Sequence, residues 1–260
     1  MQTPTIFSMI ERAGSYTVND FRTQIESNPS CLHELIHEGL APLMLACGAS
    51  RAFDDDPAAP AGNQVIKIMI DKGANIEARN AYGFTALMMA CINSNTASSA
   101  STVKLLLESG AKVDAVDCLG RSSLVLACMA FTKGKSDSET IMALIDAGAD
   151  VNITDNHGVP SIVVISEAMT APGAKDILKA LIEAGTDLSH ETNYGHTALM
   201  AYVKNTKPNL QAVQLLLESG ADPNQRTRLG TVTDYLNTSN KNVINNRMRK
   251  IINEHKRRAH

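Results

Sequence analysis

The sequence contains no tryptophan, and aromatic residues make up only 4% of its 260 residues. An excess of charge is missing too, because 24 Lys and Arg residues against 27 Asp and Glu residues leave a net charge of −3. A chain without a positive field is not typical of proteins that bind nucleic acid or anionic lipid. We therefore expect neither nucleic acid nor a membrane surface among its partners.

Long apolar runs are also lacking. No segment approaches the roughly 18 apolar residues of a transmembrane helix, and Met1 to Arg12 has no basic residue ahead of an apolar run, as a signal peptide would. The five cysteines are an odd number and are scattered along the chain, which favours a reducing compartment over a disulfide framework. We expect a cytoplasmic protein, with the nucleus as the alternative.

Internal repetition is what the sequence has in abundance. The segment IMIDKGA at residues 68–74 recurs four times, and its glycines are 37, 38, 37 and 35 residues apart. A glycine at this place ends a helix in a left-handed conformation, and the polar stretch after it predicts a hairpin, called a finger below. Ten residues after each first glycine comes a second one, so the first glycines are Gly73, Gly110, Gly148, Gly185 and Gly220, and the second are Gly83, Gly120, Gly158, Gly195 and Gly230.

The repeated motifs resemble ankyrin repeats. Residues 83–90 (GFTALMMA) and 103–117 (VKLLLESGAKVDAVD) carry the resemblance, and similar matches run from about Leu40 to Asp234. The resemblance implies an all-α solenoid of stacked helix pairs with projecting β-hairpin fingers. One pair cannot bury its own apolar face, so neighbouring pairs must stack. The family's inner-helix histidine is missing, and we expect apolar packing by its replacements, Met44, Met88, Val125, Val163 and Met200.

The glycine spacing predicts where each repeat begins and ends. Terminal repeats must show a polar face to water, so both ends should be caps, with helices at Asn19–Ser27 and Asn242–Lys256. The predicted divisions are an N-terminal capping region at 1–38, repeats at 39–82, 83–119, 120–157, 158–194 and 195–229, and C-terminal capping helices with a basic tail at 230–260.

The repeats are longer than the family's period of about 33 residues, so each must carry an insertion. The insertions fall between the two helices of a pair, and their Ser, Ala, Pro, Gly and Asp content indicates loops. Their common place on one rim suggests a second recognition surface, although variation tolerated at a surface explains them as well. They are Ser50–Asn63, Asn93–Ser101, Lys133–Ser138 and Thr170–Gly173.

The resemblance also implies a function, because this family recognises partners with its fingers and inner helices. We expect a protein–protein interaction module, acting as an adaptor or inhibitor and not an enzyme, without cofactor or resident metal, and monomeric when free. Large side chains flank the second glycines, and exposed aromatic and arginine side chains are typical interface anchors, unless they pack on a neighbouring finger. The candidate partner-binding residues are Arg79, Tyr82, Phe84, Leu119, Arg121, His157, Glu191, Tyr194, His196, Arg226 and Arg228.

One segment suggests an enzyme instead, since residues 33–37 match the His-Glu-x-x-His pattern of zinc metallopeptidases. On a helix, His33 and His37 would share a face and ligate Zn²⁺ while Glu34 activated water. The repeat register favours a different interpretation, in which the segment is an extended first finger that separates the two histidines by about 13 Å.

The C-terminus offers a second alternative. It is strongly basic, which suggests nucleic-acid association, whereas a solvated cap helix with cations at its C-terminal dipole explains the same pattern. The basic residues are Arg247, Arg249, Lys250, Lys256, Arg257 and Arg258.

The cysteines fall into two groups. Cys47, Cys91 and Cys128 each follow an alanine at the same position of successive repeats, which predicts core residues. Cys31 and Cys118 fall in predicted fingers, where we expect exposed thiols.

Overall fold

The computed structural model describes residues 4–48, 61–95, 98–204, 209–238 and 242–258. These residues form two compact units, residues 1–149 and residues 150–260. Both units are built from pairs of α-helices, and the described residues contain isolated β-bridges but no sheet. The predicted all-α solenoid of helix pairs is confirmed.

The first unit has two rows of helices. Helices α1, α3, α5 and α7 pack in order along one row, α2, α4, α6 and α8 along the other, and each odd helix contacts the even helix that follows it. Their bounds are α1 Ile6–Glu11, α2 Val18–Ser27, α3 Pro42–Gly48, α4 Ala61–Asp71, α5 Ala86–Asn93, α6 Ala100–Glu108, α7 Ser123–Thr132 and α8 Ser138–Asp146.

The second unit repeats this arrangement. Helices α9, α11 and α13 pack in one row and α10, α12 and α14 in the other. Helix α9 is short and continues into the 3₁₀-helix Ser166–Ala168. The bounds are α9 Ser161–Ile165, α10 Ala174–Glu183, α11 Ala198–Lys204, α12 Leu210–Glu218, α13 Val232–Thr238 and α14 Asn242–Arg258.

Polar caps and glycines set the helix ends. Thr85, Ser99, Ser122 and Asp137 precede α5 to α8, and each side chain accepts a hydrogen bond from the amide three residues on. After α6 the chain turns at Gly110, whose φ is +89°, and the Ala111 amide donates to the Leu106 carbonyl. This is the helix ending that the first glycines predict, because a left-handed residue brings these groups together.

Both helix rows contribute to the core, and the odd helices are the more completely buried. Helices α5 and α7 are apolar around most of their circumference, as expected of helices covered by neighbours on several sides. Small side chains allow the close packing, and the predicted core positions Cys47, Cys91 and Cys128 are fully buried. Of the residues that replace the family's histidine, Val163 is half-buried, whereas Met44, Met88, Val125 and Met200 are buried as predicted.

Both chain ends carry helices. The predicted outer helix of the N-terminal cap begins one residue earlier, at Val18, because Thr17 and Asp20 form a capping box. Helix α1 was missed by the repeat pattern, yet it packs against α3 with Ile6 and Ile10 buried. At the other end, α14 includes the predicted helix and buries Met248 and Ile252.

The insertions lie where the sequence predicts. The described residues of Asn93–Ser101 lie at the end of α5, in the adjoining turn and at the start of α6, whereas residues 96 and 97 lie outside the described residues. Lys133–Ser138 lies between α7 and α8. Of the longest insertion, Ser50–Asn63, the part before Ala61 lies outside the described residues, and the rest begins α4.

No helix in the described part of the chain is both long enough and apolar enough to span a membrane.

Candidate functional site

Each finger that contains a second glycine is a tight turn that a side chain closes. Asn80, three residues before the second glycine, accepts hydrogen bonds through Oδ1 from the amides of Tyr82 (3.0 Å) and Phe84 (2.9 Å). Its own amide donates to the Phe84 carbonyl. In the fingers around Gly120 and Gly158, isolated antiparallel bridges join Val116 to Ser122 and Thr154 to Pro160, so these fingers are short hairpins, as the resemblance implies. The other fingers carry Asp117, Asp155, Thr192 and Thr227 at this position.

Successive fingers of the first unit contact one another through their backbones. The amide of Ala81 donates to the Glu38 carbonyl (2.8 Å), and the amide of Cys118 donates to the Tyr82 carbonyl (3.0 Å). Gly83, with φ of +80°, lies so close that a Cβ there would be 2.9 Å from the Cys118 nitrogen. Gly83 therefore serves close packing as well as backbone conformation.

Three candidate residues of this unit lie on the finger surface. The side chains of Tyr82 and Leu119 are both 52% exposed. The Tyr82 hydroxyl donates to Glu38 (2.8 Å), and this hydrogen bond raises the pKa of the phenol. Arg79 is exposed and donates from Nη1 to the Val116 carbonyl (2.6 Å). The contacts of Tyr82 and Arg79 thus hold neighbouring fingers together while leaving apolar surface in solvent.

Phe84 and Arg121 lie at the finger base. Phe84 is half-buried against a core cluster that contains Met88 and Leu126. The Arg121 guanidinium is 5.8 Å from the centroid of the Phe84 ring and forms a 2.6 Å ion pair with Asp117. The side chains of Arg121 and Asp117 are only 19% and 1% exposed, so this pair is part of the fold.

The second unit pairs two candidate rings. His157 and Tyr194 are exposed, and their ring centroids are 5.6 Å apart at an interplanar angle of 30°. The backbone joins the same two fingers, because the Asn193 amide donates to the His157 carbonyl (2.9 Å). The second unit thus presents a paired aromatic surface.

An ion pair joins the next two fingers of this unit. Arg228 donates from its amide and from Nε to Glu191, both at 3.2 Å, and from Nη2 to the Thr192 carbonyl. The hydrogen bond from the Arg228 amide is the main cause of the lowered pKa of Glu191. Arg226, on the same finger as Arg228, is exposed. Glu191 and Arg228 therefore hold fingers together, while Arg226 stays at the surface.

His196 lines a groove of about 520 Å³ with Tyr194, Val159 and Lys204. Its Nε2 lies 3.1 Å from the Lys204 ammonium. Burial, and then the charge of Lys204, lowers the pKa of His196 below its ordinary value. The imidazole therefore favours its neutral form in this groove.

The large apolar side chains that are exposed lie in the same kind of structural element. In the described residues, all of them belong to fingers, including the finger around Gly39 that precedes the first predicted repeat glycine. The candidate residues omitted four of these side chains, although their positions beside the second glycines and finger turns are visible in the sequence. They are Leu35, Ile36, Val116 and Leu229, in addition to the predicted Tyr82, Leu119 and Tyr194.

The His-Glu-x-x-His segment does not form an α-helix. It passes from the 3₁₀-helix Pro29–His33 through an extended Glu34 to a bridge between Ile36 and Leu40. A turn with Gly39 at φ of +76° follows, so the segment is a finger, as the repeat register predicts. The metallopeptidase hypothesis requires a helix here, and among the side chains that the structure describes no group of three or more potential ligands could hold a metal ion.

The prediction that both finger cysteines are exposed is correct for one of them and wrong for the other. Cys118 is exposed, but Cys31 is buried, because it lies in the 3₁₀-helix that follows α2 and not in the turn of the first finger. Burial raises the pKa of the Cys31 thiol.

Some of the basic residues at the C-terminus form hydrogen bonds within the protein. Arg249 donates from Nη2 to the Leu236 carbonyl (2.7 Å), and Lys256 donates to Thr233 (3.4 Å). Lys250 lies 3.9 Å from Glu254 on the same helix, whereas Arg247 and Arg257 are exposed. Arg249 and Lys256 therefore attach α14 to α13.

Two family models match the chain. The model described as ankyrin repeats in three copies covers residues 57–159, and the model described as ankyrin repeat covers residues 194–228. Together they cover more than half of the sequence. No curated protein matches it.

Proposed function

The chain belongs to the ankyrin-repeat family, and we propose that it is a non-catalytic adaptor or inhibitor that binds a protein partner through its finger tips and inner helices. Ankyrin repeats are generally protein–protein interaction modules. The adaptor or inhibitor role, the binding residues and the partner's position on the fingers are specific to this proposal.

The exposed apolar side chains carry the proposal. Large apolar side chains in solvent forgo about 25 cal/mol for each Å² that burial would remove from water. In the described residues such side chains are confined to fingers, with Tyr82 and Leu119 at adjacent tips of the first unit. Clustered apolar surface with a polar rim is typical of protein interfaces, and Arg79 supplies part of that rim.

The rigidity of the fingers also supports binding. Association costs free energy wherever it must order side chains or loops. Here hydrogen bonds already hold the tips, such as the Tyr82 hydroxyl to Glu38 and the Cys118 amide to the Tyr82 carbonyl. A partner would therefore meet a surface that loses little conformational entropy.

The proposed setting is a reducing compartment, the cytoplasm or the nucleus, where the chain is monomeric before it meets its partner. Five free cysteines suit such a compartment.

A binding experiment on the first unit tests the function. The full chain, carrying a photo-crosslinking amino acid at Leu119, is exposed to an extract of the cells that express it. A matched sample carries the same group at Lys67, an exposed residue of α4 in the other helix row. We expect crosslinks to a discrete protein from Leu119 and not from Lys67.

Variants complete the experiment. Changing Tyr82 and Leu119 together to Ser should abolish recovery of that protein, because two apolar anchors are lost, whereas Lys67→Ser should preserve it. Full recovery with the double variant, while circular dichroism shows it folded, would disprove binding through the finger tips.

A further inference from the structure

A groove in the first unit runs from the finger base to the insertion rim. It is lined by Phe84 at the base of a finger, by Ile92 on α5, and by Leu126 and Met129 on α7. Phe84, Ile92 and Met129 are half-buried, so their apolar surface is partly covered by the protein and partly open. The floor of the groove is therefore apolar.

Cations surround this apolar floor. Arg121 lines the finger end of the groove, and Lys133 and Lys135, both exposed, line the end formed by the insertion. Asp117 neutralises Arg121 at 2.6 Å, but neither lysine forms a salt bridge with any described residue. The described lining contains no carboxylate, although the chain as a whole is net negative.

The insertion holds these lysines in place. The Asn95 amide donates to the Lys135 carbonyl and the Asn95 side chain to the Gly134 carbonyl, both at 3.1 Å. Beside them, the buried hydroxyls of Ser94 and Ser136 are 2.9 Å apart. These contacts join two successive insertions through backbone and buried groups, which leaves the lysine side chains available to a ligand.

The size of the groove limits its occupant. It encloses about 230 Å³, below the roughly 300–1,000 Å³ of typical small-molecule sites, so it suits a few side chains of a peptide rather than a cofactor. The larger groove of the second unit indicates no charge preference, because its lining includes both Glu167 and Lys204.

We propose that the groove between Phe84 and Lys135 binds an acidic peptide segment of the partner, with a large apolar side chain on Ile92 and Met129 and flanking carboxylates at Lys133 and Lys135. This inference rests on the proposed function and names the chemistry of its partner. Complementary charge draws an acidic segment to the two unpaired lysines, and the apolar floor anchors it.

Peptide selection tests the inference. A displayed library of random peptides is selected on the full chain, and enriched peptides are measured by fluorescence anisotropy. We expect them to combine a large apolar residue with Asp or Glu on either side. Replacing those acids by Gln, or the apolar residue by Ser, should weaken binding at least about fivefold, as should added salt.

Matched protein variants locate the site. Lys135→Glu and Lys133→Glu should each weaken binding about fivefold or more, because repulsion replaces attraction. Lys112→Glu makes the same charge change on an exposed residue outside the groove and should have no effect. The insertion contacts of Lys135 use its carbonyl, so its side chain can change without breaking them.

The outcomes separate this inference from the finger proposal. The groove proposal would be overturned if the enriched peptides lack Asp and Glu or if the library yields no peptide. Equal effects of Lys135→Glu and Lys112→Glu on binding would also overturn it. If peptide binding is lost when Tyr82 and Leu119 are changed to Ser but not in Lys135→Glu, the finger proposal is supported and the groove proposal is wrong. Loss with Lys135→Glu alone would support the groove even if the finger proposal fails.

Discussion

The two glycines of a repeat should respond differently to alanine. Gly110 ends α6 with φ of +89°, and Gly83 lies in a finger with φ of +80°. An L-residue in this left-handed region costs about 1–2 kcal/mol. A Cβ on Gly110 would meet nothing within 4 Å. Gly110→Ala should therefore lower the free energy of unfolding by that backbone cost alone.

At Gly83 a steric cost is added. The new Cβ would lie 2.9 Å from the Cys118 nitrogen and 3.2 Å from backbone atoms of Asp117, and neither can rotate away. Overpacking of this kind costs about 1–3 kcal/mol, so Gly83→Ala should lose about 2–5 kcal/mol in total. The neighbouring finger must shift, which breaks the 3.0 Å bond from the Cys118 amide to the Tyr82 carbonyl.

Urea denaturation of both variants, followed by far-ultraviolet circular dichroism, measures the two losses. Hydrogen exchange of the Cys118 amide reports the displaced finger, and we expect faster exchange in Gly83→Ala but not in Gly110→Ala. Equal losses in the two variants, with the Cys118 amide protected in both, would refute the claim that the second glycine is required for close packing.

Two further predictions concern charged groups. Arg121→Ala should cost about 2–4 kcal/mol, because the buried Asp117 carboxylate loses its counter-ion and keeps only the hydrogen bonds from the amides of residues 119 and 121. Asp117→Asn should cost only about 1 kcal/mol, because Asn80 closes the same turn with an amide; urea denaturation measures both. Burial lowers the pKa of His196, so folding stability that is present above the ordinary value of 6.5 should be lost as the pH falls below that value and through the lower pKa of the folded state. His196→Gln should flatten this dependence in urea midpoints measured across that range.

Clear outcomes would contradict these predictions. A larger loss for Asp117→Asn than for Arg121→Ala would mean that the turn, and not the unpaired charge, dominates. An unchanged pH profile in His196→Gln would show that His196 does not titrate differently in the folded and unfolded states.

Much of the fold was predictable from short-range rules. Gly73 and Gly110 mark helix ends because only glycine enters the left-handed region without strain, and the recurring apolar segments mark buried helices. Helix α1 escaped prediction because Ile6–Glu11 carries none of the repeated motifs, and its place is set by packing on α3. The burial of Cys31 was missed because the repeat spacing does not show at which residue the first finger begins.

The candidate site was predictable only in outline. The second glycines located the finger tips, and Tyr82 and Leu119 are exposed there. The same rule selected Arg121, whose guanidinium instead lies against Phe84 and Asp117. Nothing in the spacing separates these cases, since both kinds of residue lie beside a second glycine.

By itself the sequence determined the period, the helix pairs and the fingers, because these follow from backbone conformation and apolar pattern within one repeat. Tertiary structure alone decided which side chains remain for a partner. Tyr82 forms a hydrogen bond with Glu38, and Asn95 forms one with Lys135, and each pair is separated in the sequence by about the length of one repeat. Contacts at that separation depend on how neighbouring repeats stack, so they set the exposed tips and the cationic groove only once the chain has folded.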